Sequence, residues 1–241
     1  MSEYLDPEAA RDLPGLRLVL TTGVPGPWGE AAKSIFHVKK IDFIRVRQEG
    51  GMPNVALEAW TGQANAPQAV LDDEAALPGD PRQRALCFGL SHEICSEDGL
   101  GWNRRLQLLA PLVSLPDDES NPALATGRLL ASRYGYRGPE QLGAAEARIC
   151  QILQLFSEQL TAQRGAGSDY LVGRSLSAVD IYWATFAAML RPLPHELSPM
   201  PEMIRNSYSG LTPRIEPSLD EALITHRDRI YERHLELPLA F

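Results

Sequence analysis

The sequence predicts a fold of class α/β plus all-α, with a small mixed unit first and a helical one after it. Three observations predict it. Strand, helix, strand, helix and strand patterns follow one another between residues 16 and 71. After Pro81 every periodic stretch is helical, with apolar residues recurring at three and four. Late in that part, "SAVDIYWATFAAML" (177–190) is apolar almost all round, as a helix at the centre of a domain is.

Each element has its own signature. "LRLVL" (16–20) is a short buried strand. From Pro27 to about Lys40, Ala31, Ala32, Ile35, Phe36 and Val38 fall on helical spacing, and Pro27 suits a first turn, where a missing N–H costs nothing. "DFIRVR" (42–47) alternates like a strand. After "EGGMPN" a short helical piece spans 54–62 and stops near Gly62, and "NAPQAVL" (65–71) makes a proline turn and a third strand at 68–71. In the helical part, Leu86, Leu90 and Ile94 mark one face of a first helix, glycines interrupt at 99 and 101, and "WNRRLQLLAPL" resumes. A shorter helix at about 121–134 ends at Tyr134-Gly135. Between 139 and 163, Leu142, Ala145, Ile149, Ile152, Leu153, Phe156 and Leu160 form a strong amphipathic pattern. A proline-rich connector (192–201) precedes a last helix at about 218–235. The division that follows is an extension at 1–15, a mixed unit at 16–78 and a helical unit at 79–241.

The composition bounds the function. With 241 residues, 44% hydrophobic and 22% charged, the chain has the makings of an ordinary globular core. A net charge of −8 argues against a broad nucleic-acid or anionic-membrane surface. Cys87, Cys95 and Cys150 fall in helix-like apolar stretches, with no close pair and no histidine at ligand spacing, so core cysteines in a reduced compartment are expected, and no metal site. No run approaches membrane-spanning length and "MSEYLDPEAARDLPG" has no apolar signal region, which leads us to expect a cytoplasmic protein.

Four stretches carry more specific information. In "YLVGRSLSAVDIYWATF" (170–186), Ser177-x-x-Asp180 is a capping box with aspartate in place of glutamate. "NAPQAVL" sets Ala66-Pro67 just before the third strand. "TTGVPGPWGEAAK" (21–33) joins the first strand to the helix that Pro27 starts, and "HRDRIYERHLELPL" (226–239) forms the last helix and tail. Together they resemble the cytosolic glutathione S-transferase family, bacterial members included, whose N-terminal half is thioredoxin-like and whose C-terminal half is all-helical.

The resemblance implies glutathione as cosubstrate, a small hydrophobic electrophile or thioether as second substrate, and a homodimer in which the α/β half of one chain meets the helical half of the other. It implies a cis Ala66–Pro67 bond, with the loop of Asn65, Ala66 and Pro67 pairing with the cysteine part of glutathione. It places Lys33 at a basic position of the family's first helix and Gly26 where relatives carry a serine or cysteine activator. It also implies a fourth strand and a third helix, which hardly fit in "DDEAALPGD" between Leu71 and Pro81, so the thioredoxin-like unit is shortened, the helix from Pro81 does double duty, or a segment has been lost there. Asp73 and Glu74 in that interval either accept from the γ-glutamyl ammonium or form a solvated acidic turn.

Glutathione transfer needs a thiolate beside an electrophile, and a helix N-terminus lowers a thiol's pKa through its unpaired N–H groups and dipole. Gly26, Trp28 and Gly29 provide such a start, whereas Pro25 and Pro27 give no N–H. The nearby hydroxyls are Thr21 and Thr22, candidate activators or simply a polar turn. Trp28 either stacks on the ligand or anchors the helix. His92, Trp102, Arg104 and Arg105 are candidates to line the electrophile pocket, the arginine pair for an acidic group. The rival expectation is a non-catalytic member of the same fold, favoured by Gly26 and the short interval after Leu71. Disulfide exchange is unsupported, because the loop has no cysteine.

Overall fold

The computed structural model describes residues 4–24, 26–70, 81–116 and 122–240. The "LRLVL" run is buried throughout and forms β1 (Arg17–Thr21), the middle strand of a small sheet. On one side β2 (Ile44–Gln48) runs parallel, with Arg17 opposite Ile44 and Thr21 opposite Gln48. On the other, β3 (Gln68–Val70) runs antiparallel, with Val19 opposite Gln68. Among the described residues the sheet has three strands, in the order β2-β1-β3.

The described part of the N-terminal extension packs on the sheet. Leu5 bridges to Val46 alongside β2, its N–H donating to Arg45 O and its carbonyl accepting from Arg47 N–H, both at 2.9 Å. A single-turn helix, α1 (Pro7–Ala10), follows, and Ala10 is buried with Val19, Val46 and Leu57. Leu5 packs against the same cluster.

Helix α2 (Pro27–Lys39) has Pro27 at its first position and Gly26 as N-cap. It stops because Lys40 turns left-handed (φ 54°), letting the Lys40 and Ile41 N–H groups return to His37 O and Phe36 O. A short α3 (Val55–Thr61) ends likewise at Gly62, at φ 79°. The helical half comprises α4 (Pro81–Cys95), α5 (Leu100–Val113), α6 (Pro122–Arg133), α7 (Gln141–Gly165), α8 (Ala178–Phe186), α9 (Glu202–Ser209) and α10 (Glu221–His234). The proline connector was expected to lead straight to the last helix, yet α9 intervenes; it is a strongly amphipathic two-turn helix whose Tyr208 alone is buried. Helix α4 packs on α8 and α5. The boundary expected at 78–79 lies outside the described residues.

The capping box forms as the sequence implies, and Asp180 does more than cap. Fully buried, it accepts from Ser177 N–H (2.9 Å), Ser177 Oγ–H (2.6 Å) and Leu171 N–H (2.8 Å), and meets His226 Nε2 of α10 at 2.9 Å. One carboxylate thus fixes the start of α8, the turn before it and α10. Around α8, Trp183 stacks on Phe156 with centroids 5.5 Å apart and donates to Leu223 O at 2.9 Å.

Helix α2 joins the two halves. Its Ile35 and Val38 pack against Ile181, Tyr231, Leu235 and Leu239. Its Lys33 is buried, paired with Glu30 at 2.9 Å, and donates to Ala240 O at 3.0 Å. The tail itself is tied back by Leu239 N–H to Leu197 O at 2.8 Å.

Candidate functional site

Three segments meet around the start of α2. The first is the β1–α2 turn. Gly26 sits at φ −77° and ψ 108°, with no side-chain cap, and the first-turn N–H groups of Trp28 and Gly29 follow it. A Cβ built on Gly26 would meet nothing within 4 Å among the described residues, which leave the space a serine or cysteine would use open.

The second segment is the loop before β3. The Ala66–Pro67 bond is cis, as expected. Gln48, buried at the end of β2, holds this loop: its Nε2 donates to Ala64 O (3.3 Å) and Glu49 O (3.1 Å). Its Oε1 accepts from Thr21 Oγ1 at 2.7 Å, and its carbonyl accepts from Thr22 N–H at 3.0 Å and Thr22 Oγ1 at 3.4 Å. Both threonine hydroxyl protons are therefore directed at Gln48, which sequence reasoning passed over. Its signal was a polar residue at the buried phase of "IRVRQ".

The third segment comes from the helical half. Trp28 donates its indole N–H to Cys95 O at 2.9 Å and packs edge-on against Phe186, centroids 4.8 Å apart. A Cβ at Gly101 would lie 2.4 Å from Phe186 and 3.0 Å from Trp28, which is why α5 carries glycine there. Tyr134, just past α6, lies 6.1 Å from Trp28 and 4.8 Å from Trp102, ring to ring. The Arg105 guanidinium stands 5.8 Å from the Trp28 ring and 5.9 Å from that of Tyr208. Tyr208 and Tyr134 are also its electrostatic partners. Burial pulls the Arg105 pKa down, but the two tyrosines outweigh it and leave it raised. Burial likewise pushes the Tyr134 hydroxyl up, against the opposing pull of Arg105. Beside Tyr134, Arg133 donates to Asn65 Oδ1 at 3.3 Å, bringing this cluster to the cis-proline loop.

No protein-family model matches the sequence, and no curated protein matches it. Solved structures do. The beta-etherase LigF from Sphingobium sp. strain SYK-6 superposes with a TM-score of 0.58, at 16% identity, covering 91% of this chain and 96% of that one. A glutathione S-transferase from Methylobacillus flagellatus KT, solved with glutathione bound, gives 0.55 at 12% identity, covering 90% and 95%. The chain has the glutathione-transferase fold.

Within the glutathione-transferase fold, the structure brings together Thr21, Thr22, Gly26, Trp28 and Gly29 at one strand–helix junction, Asn65, Ala66 and Pro67 at the loop, and Trp102 and Arg105 beside Trp28. His92 is not among them; it lies exposed on α4. Arg104 does not line the cluster either. It turns inward, donating to Met189 O, Gln107 Oε1 and the carbonyls of Ser207, Tyr208 and Gly210 at 2.9–3.1 Å, and burial lowers its pKa to about 10. Asp73, Glu74 and Pro25 lie outside the described residues. The three cysteines are free and half-buried, and burial raises the Cys95 thiol pKa.

Two clefts lie nearby but elsewhere. A hollow of about 670 Å³ sits at the C-terminal end of α2, between Lys40, Arg45 and Glu236, away from Gly26. A smaller one of about 240 Å³ runs along α2 between Pro67 and Tyr182. Among the described residues no group of three histidine, cysteine or acidic side chains could hold a metal ion. No described helix is long and apolar enough to cross a membrane.

Proposed function

We propose that the chain is a glutathione-dependent transferase in which the thiolate rests on the N-terminus of α2. The observation that carries this reading is the uncapped start of α2 at Gly26, with open space above it and the cis Ala66–Pro67 loop held beside it by Gln48. Unpaired N–H groups of Trp28 and Gly29, with the helix dipole, favour the anion. Thr21 and Thr22 then act through Gln48, shaping the junction. Asn65, Ala66 and Pro67 meet the cosubstrate's backbone, Asp73 and Glu74 are the acceptors for its ammonium, and Trp28, Trp102 and Arg105 border a small electrophile or thioether. One structural neighbour is named a beta-etherase and another holds glutathione, which supports the assignment. The protein works as a cytoplasmic homodimer in this reading.

Calorimetric titration with glutathione tests it. Binding at micromolar to low millimolar concentration supports the reading; a folded protein that ignores cellular concentrations of glutathione overturns it. A second reading, a non-catalytic module of the same fold, is favoured by one specific observation: Gly26 offers no side chain and both neighbouring threonine hydroxyls are directed at Gln48.

A further inference from the structure

Arg104 and Arg105 are adjacent on α5, and the helix turns them about 100° apart. Arg104 is consumed by its five hydrogen bonds across the helical half. Arg105 faces the aromatic cluster beside the first turn of α2. Its charge is met there by two ring faces and two neutral hydroxyls, and no described carboxylate pairs with it. Its buried Nε–H has no hydrogen-bond partner among the described residues. Ring faces and hydroxyls solvate a guanidinium without neutralising it, and a desolvated cation lacking a counter-charge attracts an anion far more strongly than one in water.

We propose that Arg105 determines specificity, receiving the carboxylate of an aromatic second substrate whose ring lies against Trp28, Trp102 and Tyr134. This rests on the transferase reading above. The guanidinium fork matches a carboxylate in shape, and the surrounding rings suit an aromatic body. Glutathione also carries carboxylates, but Arg105 stands on the helical half amid rings, a setting that matches an arene and not a peptide backbone.

The test is calorimetry with 2-naphthoate and 2-naphthamide, equal in shape and different in charge, without glutathione. The wild-type protein is expected to bind naphthoate at least about tenfold more tightly than naphthamide. In Arg105→Gln that preference should fall to within about twofold while naphthamide affinity holds, and Arg105→Lys should keep part of it. Circular dichroism melting establishes that each variant folds; if Arg105→Gln does not, the wild-type preference alone still decides. Equal binding of the two probes by the wild-type protein overturns the proposal. So does a preference that survives in folded Arg105→Gln, and if that variant also loses glutathione, the carboxylate it serves is the cosubstrate's. Preference for naphthoate in a protein that never binds glutathione upholds the anion site while removing the transferase reading.

Discussion

Trp28 and Cys95 are joined by an indole N–H to carbonyl hydrogen bond of 2.9 Å, which ties the first turn of α2 to the last turn of α4. Trp28 thus anchors the first turn of α2 to the helical half. Trp28→Phe keeps most of the ring packing and loses the bond, so urea unfolding should show a loss of about 1 kcal/mol. If backbone groups hold the thiol as proposed, glutathione affinity should stay within about twofold. A large loss of affinity would instead make the indole a ligand contact.

The threonines give a sharper test. Thr21 Oγ1 donates to Gln48 Oε1, so Thr21→Val should destabilise the fold by about 1 kcal/mol through an unsatisfied buried acceptor. The pKa of bound glutathione, read from thiolate absorbance against pH, should not move. If it rises, the hydroxyl reaches the sulfur after all.

Gly26 has a backbone conformation open to any residue and no neighbour in the way. Gly26→Ser should fold normally and add a hydroxyl donor to the thiolate. A hydrogen bond to a charged group, at about 1.5–3 kcal/mol, lowers the thiol pKa by about one unit or more. Absorbance titration and turnover of a model electrophile would both report it.

Asp180 should be the most sensitive residue of the helical half. Ser177→Ala removes one hydrogen bond at a helix start, at about 1 kcal/mol. Asp180→Ala strands the donors of Leu171, Ser177 and His226 together, and should cost about 3–5 kcal/mol in chemical denaturation. Comparable losses in the two variants would count against this.

Glu30 predicts a pH dependence. Burial, opposed by Lys33, raises its pKa above the ordinary 4.5. The folded protein therefore keeps this proton to higher pH than the unfolded chain does. Stability from this source is full below 4.5 and is lost as pH rises through the raised value. Glu30→Gln cannot titrate, so the stability difference between variant and wild type should shift in the variant's favour from pH 4.5 towards neutrality. Urea unfolding across that range measures it, and a constant difference would refute the sign.

Much of this architecture was legible in the sequence. Pro27 and the spacing after it give α2 almost to the residue, and Ser177-x-x-Asp180 gives the start of α8, because caps and prolines act locally. The cis Ala66–Pro67 bond came through family resemblance and not from local pattern. What escaped were contacts between distant segments. Nothing in "WNRRLQ" says which arginine turns inward, since that depends on α9, itself hidden in a short polar stretch. Tyr134 read as a helix ending, yet it joins Trp28, Trp102 and Arg105. Gln48 lies one residue past the strand read at 42–47, and its partners lie at Thr21 and Ala64.

The bond from Lys33 to the carbonyl of Ala240 spans 207 positions of chain. During synthesis α2 leaves the ribosome long before residue 240 exists, so its buried Lys33–Glu30 pair waits without this partner while the helical half is still being made. The mixed unit therefore cannot reach its final packing as an early, self-sufficient folding product. Its completion waits for residues made some two hundred positions later, because the surface of α2 at Ile35 and Val38 packs against Tyr231, Leu235 and Leu239.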